Sequence, residues 1–119
     1  MFNILDASRD QVVGFAFLNN INHAHQTANL GYSIRTSRTR EGIATETVRL
    51  VAWYGFEKLG LQRIEIVISK DNSPSKKIAQ KSGAVREGLL RNRLRIHGLA
   101  HDAYMYSLLP EDFGINNTD

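Results

Sequence analysis

The chain of 119 residues has the length of one domain, and a composition of 42% hydrophobic and 23% charged residues is that of a folded globular protein. It contains no cysteine, which excludes disulfides, thiolate metal sites and cysteine nucleophiles. Its apolar runs are too short to span a membrane and no signal peptide begins it, so we expect a soluble protein of the cytoplasm. A net charge of +3 leaves an anionic partner open, either nucleic acid or a phosphate-bearing cofactor.

The first third of the chain predicts three strands. Residues 2–8 and 11–21 are rich in β-forming side chains and flank a short turn, which indicates a hairpin. Residues 28–35 predict a third strand because apolar and polar side chains alternate there.

A long helix is predicted from Gly42 to about Lys58, with Gly60 as its C-terminal cap. Small and apolar residues recur at helical spacing through it: Ala44, Val48, Val51, Ala52, Gly55 and Leu59. Residues 63–69 then predict a strand. The strand, helix and strand together imply a crossover connection and one parallel strand pair.

The last part of the chain predicts a short helix and a hairpin. Ser73 is the expected N-cap and Pro74 the first helical residue, and Gly83 ends the helix. Residues 84–109 read as two strands that turn near Gly98. The predicted order is β-β-β-α-β-α-β-β, a mixed and mainly antiparallel α/β sheet in a single domain of residues 1–113, with a frayed tail at 114–119.

The stretch "TSRTREGIATETVRL" combines positive charge with two small residues where the long helix is predicted to begin. A helix N-terminus presents unpaired N–H groups, and a phosphate can reach them only where no side chain intervenes. Gly42 and Ala44 would leave that space, Arg38 and Arg40 would add charge, and Thr45 could add a hydroxyl donor. The alternative is a solvated basic loop, because G-x-A by itself is common. Neither the P-loop nor the G-x-G-x-x-G pattern is present.

A second pattern follows one strand later, in "DNSPSKKIAQKSGAVREG". Asn72 and Ser75 have the spacing N-x-x-S at the start of the short helix, and Gly83 follows eight residues after Ser75. Together with the first pattern, residues 28–113 resemble the acetyl-CoA-binding part of a GNAT N-acetyltransferase of the RimJ/RimL type. The combination is specific, whereas each motif alone is not.

The resemblance implies a GNAT-like fold and acetyl-CoA as co-substrate, with no metal. It implies transfer of the acetyl group to a primary amine, such as the N-terminus of a ribosomal protein, by direct attack through a tetrahedral intermediate. Membrane and nucleic acid are not expected as partners.

The resemblance also assigns a cofactor site. In GNAT proteins the pattern (Arg/Gln)-x-x-Gly-x-(Gly/Ala) binds the CoA pyrophosphate through backbone amides. It maps onto residues 39–44, with Thr39 at the first position, where Arg38 is the expected substitute. The implied cofactor-binding residues are Ile34, Thr36, Arg38, Thr39, Arg40, Glu41, Gly42, Ile43, Ala44, Thr45, Asn72 and Ser75.

Two catalytic roles are implied as well. The Ile34 N–H would bind the thioester carbonyl, in the opening where the third strand splays from the strand of residues 63–69, and stabilise its oxyanion. Ser75 would be the general acid to the leaving thiolate, because Ala79 stands where many relatives carry a tyrosine. The alternative for Ser75 is a purely structural role, in which a first-turn serine hydrogen-bonds to the helix backbone.

The general base stays open at this stage. Glu65 could face away from the site, and His23 and His25 are predicted loop residues. Tyr104 and Tyr106 share one face of the last strand and could line the acceptor site, although core packing is the simpler interpretation.

GNAT domains usually begin with a strand and two helices that this chain lacks, so the acceptor side is expected to be incomplete. A homodimer could cover the core left exposed. A CoA-binding or interaction module without catalysis is the second hypothesis. A basic nucleic-acid-binding domain is the third, and it depends on charge alone.

Overall fold

The computed structural model describes residues 2–6, 11–34 and 38–115, and side chains within residues 14–33 and 42–115. The predicted order of elements and the mixed α/β class are confirmed. The elements are β1 (Phe2–Asp6), β2 (Gln11–Asn22), β3 (Thr27–Ile34), α1 (Arg38–Lys58), β4 (Arg63–Ser69), α2 (Ser73–Lys81), β5 (Val85–Ile96), β6 (Leu99–Leu108) and a 3₁₀ turn (Pro110–Phe113).

The strands form one six-stranded sheet in the order β1-β2-β3-β4-β6-β5. Of the strand pairs, β3 and β4 are parallel, and the other four are antiparallel. The parallel pair arises because α1 connects β3 to β4 and returns the chain to the same end of the sheet. The crossover that the sequence predicted is therefore present.

The core lies between one face of the sheet and the two helices. Even-numbered side chains of β3, β4 and β6 point to this face, because successive side chains of a strand alternate between faces. The helices supply apolar side chains at helical spacing. The buried cluster comprises Ala16, Ala28, Leu30, Ala44, Val48, Val51, Ala52, Phe56, Leu61, Ile64, Ile66, Ile68, Ile78, Ala79, Tyr106 and Leu108.

The start of α1 differs from the prediction. The helix begins at Arg38, one turn before Gly42. Residues 38–41 contain arginine and glutamate, which favour helix, and no proline or glycine, while a single interior glycine costs only about 1 kcal/mol relative to alanine. Gly42 therefore lies inside the helix, and the helix N–H groups without an intrahelical acceptor belong to the turn before it.

The end of the packed structure also lies slightly beyond the predicted boundary. Phe113 and Ile115 contact the core, and the Ile115 N–H donates to the Pro110 carbonyl at 3.1 Å. Gly114 takes a left-handed conformation, with φ of 70°, that closes this turn. Residues 114 and 115 thus belong to the domain, while 116–119 lie outside the described residues. Within the described part of the chain, no helix is long and apolar enough to cross a membrane.

Candidate functional site

An opening separates β3 from β4 over most of their length. The two strands pair only at Thr27 with Arg63, Ala28 with Ile64 and Asn29 with Glu65. Beyond these positions β3 continues to Ile34 along β2, and β4 continues to Ser69 along β6. The predicted splay is present, and it leaves one backbone edge of β3 facing β4 without a strand partner.

A cavity of about 220 Å³ occupies this opening. Its walls come from β2, β3, β4, the start of α2 and β5: Phe17, Leu30, Gly31, Tyr32, Ile66, Val67, Ile68, Ser69, Asn72, Ser75, Leu94 and Ile96. A Cβ at Gly31 would lie 2.4 Å from Cζ of Phe17, so a larger residue there would displace the Phe17 ring. The cavity is mostly apolar, with polar groups concentrated at the start of α2.

The start of α2 brings Asn72 and Ser75 together at the cavity. The Asn72 Oδ1 accepts a hydrogen bond from the Ser75 N–H at 3.2 Å, so Asn72 and not Ser73 is the N-cap. Asparagine is a strong N-cap because its side chain satisfies an N–H that has no acceptor inside the helix. The recorded bonds of Ser75 use its backbone N–H and C=O, so its hydroxyl is the group it can turn toward a ligand.

Tyr32 connects β3 to α2 at the wall of the cavity, and it was not singled out as a site residue from the sequence. Its hydroxyl donates to the Ser75 carbonyl at 2.6 Å, and its ring lines the cavity. Burial, reinforced by the neighbouring Tyr106, raises the pKa of Tyr32 above its usual range, so the hydroxyl keeps its proton. Tyr32 and Ser75 are 43 positions apart, so no local pattern could have predicted this contact.

The predicted pyrophosphate residues divide into two kinds. Gly42 is exposed, and a Cβ at this position would meet no described atom within 4 Å. Ala44 is fully buried in the core, so packing of α1 against the sheet explains its small size. Ile43 and Thr45 are half-buried.

The other predicted positions near α1 are described less fully. Residues 38–41 form the first turn of α1, and Ile34 is the last residue of β3. For these residues the structure describes the backbone but not the side chains. Thr36 lies outside the described residues. None of residues 42–45 is among the described residues that line the cavity.

The candidate bases lie away from the cavity. Glu65 accepts a hydrogen bond from Arg63 Nε at 2.8 Å, and no carboxylate is among the described lining residues. His23 and His25 lie in the exposed turn between β2 and β3. The general base therefore stays open.

The two tyrosines of β6 pack within the protein. Tyr106 is fully buried, and Tyr104 packs against the core. The rings of Tyr104 and Tyr106 meet edge to face, with their centroids 6.5 Å apart. The Tyr106 hydroxyl has no hydrogen-bond partner among the described residues. The core interpretation therefore fits both side chains better than an acceptor wall does.

Across the described ranges, no group of three or more His, Asp or Glu side chains could hold a metal ion. The arrangement instead offers an open strand edge, an apolar cavity and a capped helix start. A profile of the acetyltransferase (GNAT) domain matches residues 1–85. This chain belongs to the GNAT acetyltransferase family.

Individual GNAT relatives agree with this assignment. N-acetyltransferase p20 of Bacillus licheniformis, itself uncharacterized, is 34% identical over 112 residues, which are 94% of this chain and 63% of the relative. A Vibrio cholerae structure provisionally described as a ribosomal-protein-serine acetyltransferase is 32% identical, with a TM-score of 0.81 over 91% of this chain and 62% of that one.

A third GNAT relative was solved with a CoA compound. Mycobacterium smegmatis RimJ, in complex with CoA-disulfide, is 30% identical with a TM-score of 0.79, over 87% of this chain and 50% of that one. The present GNAT chain therefore spans between 50% and 63% of the length of these three proteins.

Proposed function

We propose that this GNAT chain transfers an acetyl group from acetyl-CoA to a primary amine. The observation that carries the proposal is the opening between β3 and β4, which ends at Asn72 and Ser75. An unpaired strand edge offers backbone N–H and C=O groups to the amide-containing pantetheine arm, as a further strand would. The largely apolar lining suits the acyl and thioester part of the ligand.

Each predicted residue has a role in this proposal. Backbone groups near Ile34 and Thr36 bind the pantetheine arm, and the Ile34 N–H donates to the thioester carbonyl. The amine nitrogen bonds to the carbonyl carbon and gives up a proton to solvent, because no carboxylate is among the described lining residues. The C–S bond breaks, and Ser75 gives a proton to the sulfur and regains one from solvent. Asn72 contacts the pantetheine. The N–H groups of residues 38–41, the first turn of α1, bind the pyrophosphate, and the exposed Gly42 leaves room beside them.

The acceptor class we propose is a protein N-terminus, in particular that of a ribosomal protein. The supporting observation is similarity to the Vibrio cholerae protein described as a ribosomal-protein-serine acetyltransferase and to RimJ. The test is acetyl transfer to peptides with free N-termini, compared with polyamines and amino acids. Faster transfer to a polyamine would redirect the proposal to small amines.

Gly42 provides a test of cofactor binding. Nothing in the described structure requires a glycine there, so Gly42→Glu should leave the free energy of unfolding unchanged or raise it by up to about 1 kcal/mol. The same side chain should block a pyrophosphate and repel it, so acetyl-CoA binding measured by calorimetry should be lost. Glu57→Ala, at the exposed far end of α1, is the control and should bind normally. Unchanged affinity in Gly42→Glu would remove the pyrophosphate assignment.

Ser75 provides a test of catalysis. Ser75→Ala should lower kcat by about 100-fold, the lower range for loss of a general acid, with acetyl-CoA affinity nearly unchanged. The Asn72 cap and the Tyr32 bond both use the Ser75 backbone, so the variant should keep the wild-type fold. Normal turnover in Ser75→Ala would show that another group protonates the thiolate.

The second candidate function is acetyl-CoA binding without catalysis. It is favoured by the lack of any carboxylate among the described lining residues, because the amine must lose a proton. Calorimetric binding of acetyl-CoA with no thiol release on any amine would support this candidate against the first.

A further inference from the structure

Tyr32 connects β3 to α2 beside the opening between β3 and β4. Past Asn29 and Glu65 these strands have no paired residues, so their separation is not set by a hydrogen-bond ladder. Tyr32 lies on β3 in that unpaired region, and its hydroxyl reaches the Ser75 carbonyl in the first turn of α2 at 2.6 Å. A short hydrogen bond thus joins β3 to the first turn of α2 at the wall of the cavity.

The bond fixes a backbone atom of the proposed acid. The Ser75 N–H is held by Asn72, the N-cap of its own helix, and the Ser75 C=O is held by Tyr32 of β3. With the backbone fixed, the Ser75 hydroxyl can move only by rotation about its own side chain. Its distance from the open edge of β3 then depends on the Tyr32 bond.

The environment of Tyr32 keeps its hydroxyl protonated, so that it remains a hydrogen-bond donor. The side chain packs against the core beside Ala16, its partner on β2, and lines the cavity with its ring. Burial raises the pKa of its hydroxyl, so the proton remains available to Ser75 across the pH range in which enzymes work.

We propose that Tyr32 is a positioning residue that holds the first turn of α2 against β3 and thereby sets the place of the Ser75 hydroxyl relative to the acyl group. This inference rests on the proposed function, in which Ser75 protonates the leaving thiolate. Tyr32 itself donates no proton to the substrate.

Tyr106 supplies a matched control. It is a buried tyrosine next to Tyr32, but its hydroxyl has no partner among the described residues. Tyr106→Phe removes a hydroxyl without breaking a described bond, so it should be neutral or slightly stabilising. Tyr32→Phe removes a hydroxyl that is bonded, from a ring of the same size.

Hydrogen exchange of the unliganded chain tests the tie without any activity. In Tyr32→Phe, amides in the first turn of α2 should exchange about five to ten times faster than in the wild type, which corresponds to the loss of one hydrogen bond. Tyr106→Phe should leave those amides unchanged. Equal exchange in all three proteins would overturn the proposal at this step.

Kinetics then separate positioning from general stability. Tyr32→Phe should lower kcat by about tenfold, with the KM for acetyl-CoA changed less than about twofold, because misplacement acts on the reacting geometry. In the Ser75→Ala background, the same substitution should have little further effect on kcat, because a residue that acts through Ser75 has nothing left to position. Tyr106→Phe should match the wild type.

The outcomes distinguish this inference from the function on which it rests. An inactive wild-type chain overturns the proposed function, while the exchange experiment still decides whether the tie exists. An active wild type with an equally active Tyr32→Phe overturns the inference alone. Equal losses from Tyr32→Phe with and without Ser75 would make Tyr32 a stabilising residue and not a positioning one.

Discussion

Asn72 shows how one residue can have a visible structural role and a proposed binding role. Asn72→Ala should lower the free energy of unfolding by about 1 kcal/mol, because the Ser75 N–H loses its acceptor. Asn72→Ser keeps a capping oxygen and should recover most of that stability. If the amide also contacts the pantetheine, both variants should bind acetyl-CoA more weakly. Denaturant unfolding and calorimetry measure the two effects, and normal affinity in Asn72→Ser would leave only the cap.

Gly42 and Ala44 are both small, but their environments in the fold differ. The sequence marked both as small residues at a site of close approach. In the fold Ala44 is enclosed by the core, while Gly42 is open to its surroundings. A helix turns about 100° per residue, so two positions on, a side chain faces another direction. The pattern shows that both are small but not which environment requires it.

At the scale of elements, Arg49 joins both helices to the C-terminal turn. Its Nη1 donates to the carbonyl of buried Ser82 at 2.6 Å, and its guanidinium lies 4.3 Å from the Phe113 ring centroid. These contacts connect α1 to the end of α2 and to the 3₁₀ turn. Arg49 therefore holds the C-terminal end of α2, the end opposite Ser75.

Arg49→Met should reduce the free energy of unfolding by about 1–3 kcal/mol, because the Ser82 carbonyl is left buried without its charged donor. Arg49→Lys should recover only part of this loss, since an ammonium cannot stack its plane on a ring. Arg91→Met on exposed β5 is the control and should change stability by less than about 0.5 kcal/mol. Equal effects of Arg49→Met and Arg91→Met in urea unfolding would contradict this assignment.

The elements themselves were largely predictable. Residues 63–69 form the strand that alternation indicated, and Gly60 takes a φ of 68° after α1, as expected of a helix C-terminal glycine. The start of α1 was wrong by four residues because the glycine was taken as its boundary. Leu59, the last residue of the predicted apolar pattern, lies just after α1 and is exposed, whereas Phe56 is buried and packs on Phe113.

At the scale of the whole molecule, a charged network links three strands of the sheet. Arg63 on β4 donates to Glu87 on β5 at 2.6 and 2.9 Å, and the Ser107 hydroxyl of β6 donates to the same carboxylate at 2.7 Å. The Arg63 hydrogen bonds, followed by that of Ser107, lower the pKa of Glu87 from 4.5 to about 2. Since β6 lies between β4 and β5, the network spans the width of that part of the sheet.

The network predicts a specific acid sensitivity. A carboxyl with a depressed folded-state pKa stabilises the fold above its unfolded pKa of 4.5 and loses this contribution as the pH falls toward about 2. Glu87→Gln should therefore be less stable than the wild type at neutral pH, and the difference should shrink over that interval. The effect should be small, because the Glu87 side chain is 40% exposed. A difference in urea midpoint that does not change with pH would contradict the mechanism.

The expected homodimer stays a prediction at this scale. Phe15, Val85 and Leu99 are large apolar side chains exposed on the described surface, and a second copy is one way to cover them. Solution mass as a function of concentration tests this directly, and a constant monomer mass would end the expectation.

The sequence by itself determined the order of elements, the mixed sheet and the family resemblance, because alternation, helical spacing and the glycine and N-x-x-S patterns are local. Only the tertiary structure decided where β3 and β4 part and that Tyr32 reaches Ser75. These facts depend on contacts between residues that are far apart in the chain. Such contacts leave no period or spacing in the sequence, and they exist only once the helices have packed on the sheet.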